Sequence, residues 1–426
     1  MTTFVYGALF ALLALLGAPL FAIIGAIAVM AFAAEGIDSS AVTVELYRIG
    51  SNPTLVAIPL FTFAGYVLAE SRAPTRLVNL ARAFFGTIPG GLAVVALLTC
   101  ALFTAFTGAS GVTIVALGGL LYPILLKEQY PERFALGLIT TSGSLGLLFP
   151  PSLPLILYAL IAGISIDSLF TAGIVPGILL LVILSGYAVR QGVKLHVPRT
   201  PFSWREGVRS LRAAGWEIPL PLVVIVGIYS GIFTATEAAS VTAFYVVVVE
   251  VFIRRHLSLR KDIPRVMKDS MLLVGAILMI IGAAMGLTNY LVDEQVPSKV
   301  FEFTQSFISS PVVFLIVLNL FLIIVGMMMD IFSAIIVVVP LIKPIAEAYG
   351  VDPIHLGIIF LTNLEIGYLT PPVGLNLFIS SLRFQKPVFT VVRSTLVYIA
   401  MLFIALILIT YIPDLSLWLV RALGVR

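Results

Sequence analysis

Gly143-Ser144-Leu145-Gly146-Leu147-Leu148-Phe149-Pro150-Pro151-Ser152 breaks an apolar run over residues 134–160. Two successive prolines remove two amide donors and disfavour helix just before them, so no helix continues through this stretch. Gly367-Tyr368-Leu369-Thr370-Pro371-Pro372-Val373-Gly374 breaks a second run, over residues 354–382. Ahead of the first break stand Leu136-Gly137 and Ser142; ahead of the second stand Leu356-Gly357 and Asn363, 220 to 221 residues later. Further upstream, each half carries an amphipathic piece, a pair of apolar legs, a proline (Pro123, Pro340) and a tyrosine (Tyr130, Tyr349). Residues 167–171 match 386–390 weakly. An ordered set of this kind is the mark of an internal repeat.

Composition fixes the medium in which the repeat works. Of 426 residues, 60% are apolar and 11% charged, against about 45–50% and about 25% in soluble domains. Mean hydropathy is +1.13. These values exclude a soluble globule and a single-span anchored domain. The long runs exclude an outer-membrane barrel, whose short strands alternate at every second residue. The chain reads as an all-α polytopic membrane protein, because helices satisfy their own backbone hydrogen bonds in lipid. The lone cysteine, Cys100, permits no disulfide framework, and Cys and His show no zinc spacing. His196, His256 and His355 lie far apart in or beside polar loops. The excess of Lys and Arg reads as a record of topology rather than of nucleic-acid binding.

Helices are expected over 4–32, 53–70, 169–189, 218–233, 238–253, a stretch ending near 289, and 388–412, with amphipathic interfacial pieces at 72–85 and 298–308. Glu35, Asp38, Glu45 and Arg48 mark a polar loop. The run from Phe4 has no basic leader and reads as the first span. Two hairpins have legs at 92–106 and 112–126, and at 312–329 and 331–342. The expected divisions are 1–89 (first-repeat scaffold), 90–189 (first hairpin, interrupted helix and following helix), 190–310 (basic loops and second-repeat scaffold), 311–412 (second hairpin, interrupted helix and last helix) and 413–426 (tail). Nine crossings plus two hairpins place 20 Lys and Arg on one side and 5 on the other. The positive-inside rule makes the first side cytoplasmic. The first hairpin then has its base inside and the second its base outside, so the repeats are inverted.

Inverted repeats with interrupted helices are the architecture of secondary transporters. Backbone groups freed at 142–144 and 362–367 cannot face lipid and must face protein or a wet cavity. There, carbonyls and hydroxyls suit a hard cation such as sodium. Helix N-termini after Pro150-Pro151 and Pro371-Pro372 offer N–H groups to a carboxylate. The blander readings are small-residue packing at Ser142, Gly143 and Ser144, and simple kinks at the prolines. Asp330, between two apolar legs, is a functional candidate by default, with a solvated turn as its alternative. Glu237 follows Thr234 and Thr236 at a helix start, where a cap at Thr236 is the simple explanation. Glu365 sits within an interrupted helix.

Thr107-Gly108-Ala109-Ser110-Gly111-Val112-Thr113, Leu120-Leu121-Tyr122-Pro123, residues 143–152 and 169–177, Phe233-Thr234-Ala235-Thr236-Glu237-Ala238-Ala239, Met329-Asp330 and residues 367–374 resemble the large membrane subunit of tripartite ATP-independent periplasmic (TRAP) transporters. The resemblance covers essentially the whole chain. It implies an elevator-type sodium symporter for organic acids, supplied by a periplasmic substrate-binding protein and completed by a small four-helix membrane subunit in a bacterial inner membrane. It implies sodium (Na+) ligands at Ser110, Ser142, Gly143 and Ser144, and at Asp330, Ser333, Thr362, Asn363 and Gly367. Substrate contacts are expected at Thr107, Gly108, Ser152, Glu365, Thr370, Pro371 and Pro372. The first tip departs from the Ser-Gly-Ser type run often seen in the family, and Glu365 stands where many members are neutral. The rivals are a stand-alone divalent-anion/sodium symporter, a passive channel and an intramembrane enzyme. The last lacks any GxSxG run or histidine at membrane depth. No Walker run is present, so direct ATP drive of this subunit is excluded.

The charge split predicts a cytoplasmic position for residues 190–216 and an outer one for 293–310. A cysteine at Ser203 should react with an impermeant thiol reagent only when the cytoplasmic face is open. Labelling from the periplasm would reverse the topology and remove the inverted repeat.

Overall fold

The computed structural model describes residues 9–10, 12–13, 18–38, 40, 42–44, 47, 53–197, 203–230 and 232–425. Every regular element among them is helical. Helix α1 is Leu20–Ala34. The expected single helix over 4–32 is interrupted, because Ala18 and Pro19 are not helical and Pro19 caps α1; its ring and missing N–H stop a helix from running through. Positions 40, 42–44 and 47, expected in a polar loop, are helical. Glu45, Arg48, Arg199 and Arg426 lie outside the described residues.

A short 3-10 turn, Pro53–Val56, leads into α2 (Ala57–Glu70), followed by the amphipathic α3 (Ala73–Phe85). The first hairpin is α4 (Gly91–Thr107) and α5 (Ser110–Lys127). The interrupted helix is α6 (Glu132–Ser142), a 3-10 turn at Leu145–Leu148, and α7 (Leu153–Ala162), and the whole is bent by 44°. Then come α8 (Ile166–Lys194), α9 (Trp204–Ala213), α10 (Pro219–Tyr229), α11 (Ala235–Ile253) and α12 (Asp262–Asp293). The second repeat continues with α13 (Val296–Phe307), the hairpin α14 (Pro311–Met328) and α15 (Ile331–Ala348), the broken pair α16 (Pro353–Gly367) and α17 (Leu375–Phe384), and α18 (Val388–Tyr411). Residues 414–423, expected as tail, form α19 (Asp414–Leu423), which packs on α8.

Seven helices among the described residues are long and apolar enough to cross a membrane, and the bent α6–α7 pair makes an eighth. The hairpin legs α5, α14 and α15 have 18 residues each. At about 1.5 Å per residue that is about 27 Å, close to the thickness of the hydrocarbon core.

The interruptions are shorter than the sequence suggested. Helix α16 runs unbroken through Thr362 and Asn363, and α6 runs to Ser142. Thr362 Oγ1 donates to Ile358 O at 2.7 Å and Asn363 Nδ2 to Ile359 O at 2.8 Å. Each side chain turns back on its own helix and leaves the backbone ladder intact. At α11 the cap is Thr234 rather than Thr236. Its Oγ1 accepts from Glu237 N at 3.3 Å, and Glu237 Oε2 accepts from Thr234 N at 2.8 Å, a capping box.

The two repeats interlock. Helix α17 of the second repeat lies against α5 and α6 of the first, and α7 of the first lies against α15 of the second. Likewise α18 packs on α6, and α8 on α16. Both α8 and α18 therefore belong to the block that holds the hairpins and breaks. A separate layer is built by α1 on α12, α2 on α11 and α12, and α10 on α11. Tyr158 Oη donates to Pro353 O at 3.2 Å and Tyr398 Oη to Phe134 O at 2.9 Å, so each broken helix is held by the other repeat.

Close approach of α6 to α18 depends on Gly137. A Cβ there would collide with the Ser394 carbonyl and come within 2.6 Å of the Tyr398 ring. Gly137→Ala should destabilise the purified protein by about 1–3 kcal/mol, the usual effect of overpacking. Gly186→Ala, with no atom within 4 Å of its added Cβ, is the control. Equal melting temperatures for the two variants would refute this packing.

Candidate functional site

Each hairpin tip is docked on the break of its own repeat. In the first, Thr107 ends α4, Gly108 turns with φ +64°, and Ser110 begins α5. The left-handed φ favours glycine, and a Cβ at Gly108 would also strike the side chain of Leu153, the first residue of α7. Thr104 Oγ1 lies 3.0 Å from Gly143 O and 2.7 Å from Thr113 Oγ1, which ties both hairpin legs to the start of the break. A Cβ at Gly143 would meet Ile114 and come within 3.3 Å of Ser110 O. The structure thus brings Thr107, Gly108, Ser110, Gly143 and Ser152 into one neighbourhood.

All of its hydroxyls are buried. Ser142 Oγ donates to Ile139 O at 3.1 Å and Ser144 Oγ to Thr141 O at 3.3 Å. Thr107 Oγ1, Thr141 Oγ1 and Ser152 Oγ have no hydrogen-bond partner. Buried polar atoms in this state are rare and point to a missing ligand or water. Two residues of the second repeat join them, and sequence reasoning missed both. Thr140 Oγ1 donates to Ser380 Oγ at 2.9 Å, and Asn376 Nδ2 donates to Thr140 O at 3.4 Å. The Asn376 carbonyl oxygen has no partner. Asn376 and Ser380 stand four apart on α17, so a polar pair on one face of that helix was the available signal.

The second tip is built on Asp330. Its Oδ1 accepts from Phe332 N at 3.0 Å and Ser333 N at 3.1 Å, and its Oδ2 accepts from Ser333 Oγ at 2.5 Å, so it caps α15. Gly367 meets the hairpin at Gly326, where a Cβ would lie 2.5 Å from the Gly326 carbonyl carbon. Gly374 N donates to Met327 O at 3.1 Å, and Tyr368 Oη accepts from Ile331 N. Asp330, Ser333 and Gly367 therefore share the tip. Asn363 sits a turn below and donates to Asn319 Oδ1 at 2.7 Å, while Thr362 bonds only within its helix. Thr370 Oγ1 donates to Ile366 O at 2.7 Å. Glu365 is fully buried with both carboxylate oxygens unpartnered.

The two sites differ in access. The first tip and its break are almost wholly buried, including Pro150, Pro151 and Ser152. Asp330, Pro371, Pro372 and Val373 are exposed, and Met328 is 65% exposed. Scaffold contact differs as well. Gly65 of α2 presses on the first tip, its Cβ position 2.6 Å from Phe106 O. Gly286, one repeat further on in α12, faces Val42 instead of the second tip. No group of three or more His, Cys, Asp and Glu gathers among the described residues. The donors at the tips are hydroxyls, carbonyls and one carboxylate, the set preferred by hard cations.

Residues 7–415 match the family described as "Tripartite ATP-independent periplasmic transporter, DctM component". The chain belongs to this family. It is 39% identical to the C4-dicarboxylate TRAP transporter large permease protein of Pseudomonas aeruginosa, over 94% of this chain and 93% of that one. It is 33% identical to the ectoine TRAP transporter large permease protein of Halomonas elongata, over 98% and 99%. The isethionate TRAP transporter permease protein of Oleidesulfovibrio alaskensis is 32% identical over 96% of this chain and 65% of its own length. Among solved structures, the Alcanivorax borkumensis YdaH transporter superposes with a TM-score of 0.64 at 12% identity, over 87% of each chain, a likeness of fold. This TRAP permease subunit is a multi-pass inner-membrane protein and not an enzyme.

The inter-repeat bond at the first site is measurable. A double-mutant cycle of Thr140→Val and Ser380→Ala should return a coupling of about 0.6 kcal/mol, typical of hydrogen bonds between membrane helices. Strict additivity of the two stability losses would show that the pair does not interact.

Proposed function

We propose that this subunit is a sodium-coupled permease for organic acids. A periplasmic binding protein hands over the substrate, and a small four-helix membrane subunit completes the complex. The observation that carries this reading is the pairing of each hairpin tip with a helix break, with unpartnered buried oxygens at the first. Sodium bound there would meet Ser110, Ser142, Gly143, Ser144 and the orphaned Thr141 hydroxyl. At the second tip, Asp330, Ser333 and Gly367 would hold it, and Thr362 and Asn363 complete the set only if α16 loosens. A bound cation supplies positive charge that draws a carboxylate toward Thr107, Gly108, Ser152, Thr370, Pro371 and Pro372. The relatives' names span a dicarboxylate, ectoine and isethionate, so the reading stays at the level of small organic acids. The part of the isethionate protein left unmatched is long enough for a fused small subunit.

One closed and one open tip is the arrangement expected of a carrier with a single gate shut. The interlocked hairpins and breaks would move as one body against the scaffold layer, in an elevator-type cycle. Glu365 favours a second coupling scheme. A fully buried, unpartnered carboxylate in a membrane helix is a functional site by default, and a proton there could replace one sodium ion.

The test is uptake by the reconstituted three-part complex under an imposed sodium gradient. Asp330→Asn keeps the helix cap, because Asn caps as well as Asp, but replaces a full charge with a dipole. Sodium-driven uptake should fall about tenfold or more, the effect of losing about 1.4 kcal/mol of cation binding, with unchanged melting. With two sodium ions per monoanion, an inside-negative potential adds about 2.3 kcal/mol per 100 mV. Uptake that follows a proton gradient alone, or wild-type sodium dependence in Asp330→Asn, would defeat the sodium assignment.

A further inference from the structure

A cleft of about 520 Å³ lies between α3 and α9, away from both hairpin tips. Arg76, Asn79 and Arg82 line it from α3, and Glu206, Arg209 and Ser210 from α9. The positive-inside count assigns this region to the cytoplasmic side. Its floor is the buried Arg76, whose charge is already committed. Arg76 Nη2 pairs with Glu217 and Glu250, and Nη1 lies 3.0 Å from His256 Nδ1. The walls are different. Arg209 is exposed and has no ion-pair or hydrogen-bond partner among the described residues. Arg82 is partly exposed and spends one N–H on Glu128 at 2.8 Å, while a guanidinium has five donors.

Charge and apolar surface coincide here. Helices α3 and α9 together carry Arg76, Arg82, Arg205, Arg209 and Arg212 against one acid, Glu206. On the same two helices, outside the cleft lining, Trp204 is 70% exposed, Leu211 46%, Phe84 41% and Phe85 38%. An inorganic anion would use only the arginines. An amphiphile would use the apolar rim as well, with its chains in the membrane and its phosphate among the guanidinium groups. Basic pockets on the cytoplasmic side of membrane helices have this character.

We propose that the α3–α9 cleft is a headgroup site for an anionic phospholipid, its phosphate held by Arg209 and Arg82 with Asn79 and Ser210 as further donors. Helix α3 joins the scaffold helix α2 to the first hairpin, so a lipid there bridges the scaffold-to-hairpin connection to α9.

The full chain, delipidated in detergent, is titrated with phosphatidylglycerol or phosphatidylcholine, and bound lipid is counted by native mass spectrometry. Phosphatidylglycerol should bind more tightly than phosphatidylcholine. Arg209→Ala should weaken it about fivefold, as should Arg82→Ala, each loss being worth about 1 kcal/mol near a membrane surface. Glu206→Gln removes the competing carboxylate and should tighten binding, a gain that misfolding could not imitate. Phosphatidylcholine should respond to none of these changes. Equal affinity for the two lipids, or unchanged phosphatidylglycerol binding in both arginine variants, would overturn the site. So would its displacement by millimolar inorganic phosphate, which would make the cleft a free-anion site.

Discussion

A peptide group in lipid has no water to turn to, and this constraint orders the whole structure. Two helices are broken in the apolar interior, at 143–152 and 368–374. Each break frees backbone donors and acceptors, so each must meet protein or a wet cavity. Thr104 Oγ1 reaches Gly143 O across the first, and Met327 O accepts from Gly374 N across the second. The hairpins supply these contacts. Glycines at Gly108, Gly143, Gly326 and Gly367 let the tips approach closely enough to make them.

Enclosure is shared between the repeats. The second half of each broken helix rests on the second leg of the other repeat's hairpin. This exchange places Asn376 and Ser380 beside Thr140, and Tyr158 against Pro353. A polar neighbourhood made this way cannot be assembled by one repeat alone. The symmetry is broken in access and in scaffold contact. The tip pressed by Gly65 is buried, and the tip not touched by Gly286 is exposed.

Away from the tips, the scaffold is pinned at the foot of α3 by the Arg76, Glu217, Glu250 and His256 cluster. Burial of such a set is expensive in desolvation and gains little net stability. It holds α3 to the segment leading into α10 and to the end of α11. At the rim of the same region Arg82 keeps an ion pair with Glu128, and Arg209 is exposed.

The sequence by itself determined the membrane class, the repeat, the hairpins and the two breaks. Those features rest on local chemistry: apolar length, and proline's missing N–H. It also singled out Asp330, because a charge between two apolar legs is visible in one dimension. It overextended the breaks at Thr362 and Asn363, since residue type does not reveal that a hydroxyl or amide will bond its own helix and leave the ladder whole. Only the tertiary structure decided that Asn376 and Ser380 face Thr140, that Asn363 turns to Asn319, that the Glu365 carboxylate has no hydrogen-bond partner, and that one tip is buried while the other is exposed. Each of these depends on contacts between segments 40 to 240 residues apart, and the physical reason is that burial and hydrogen-bond satisfaction are properties of the packed whole.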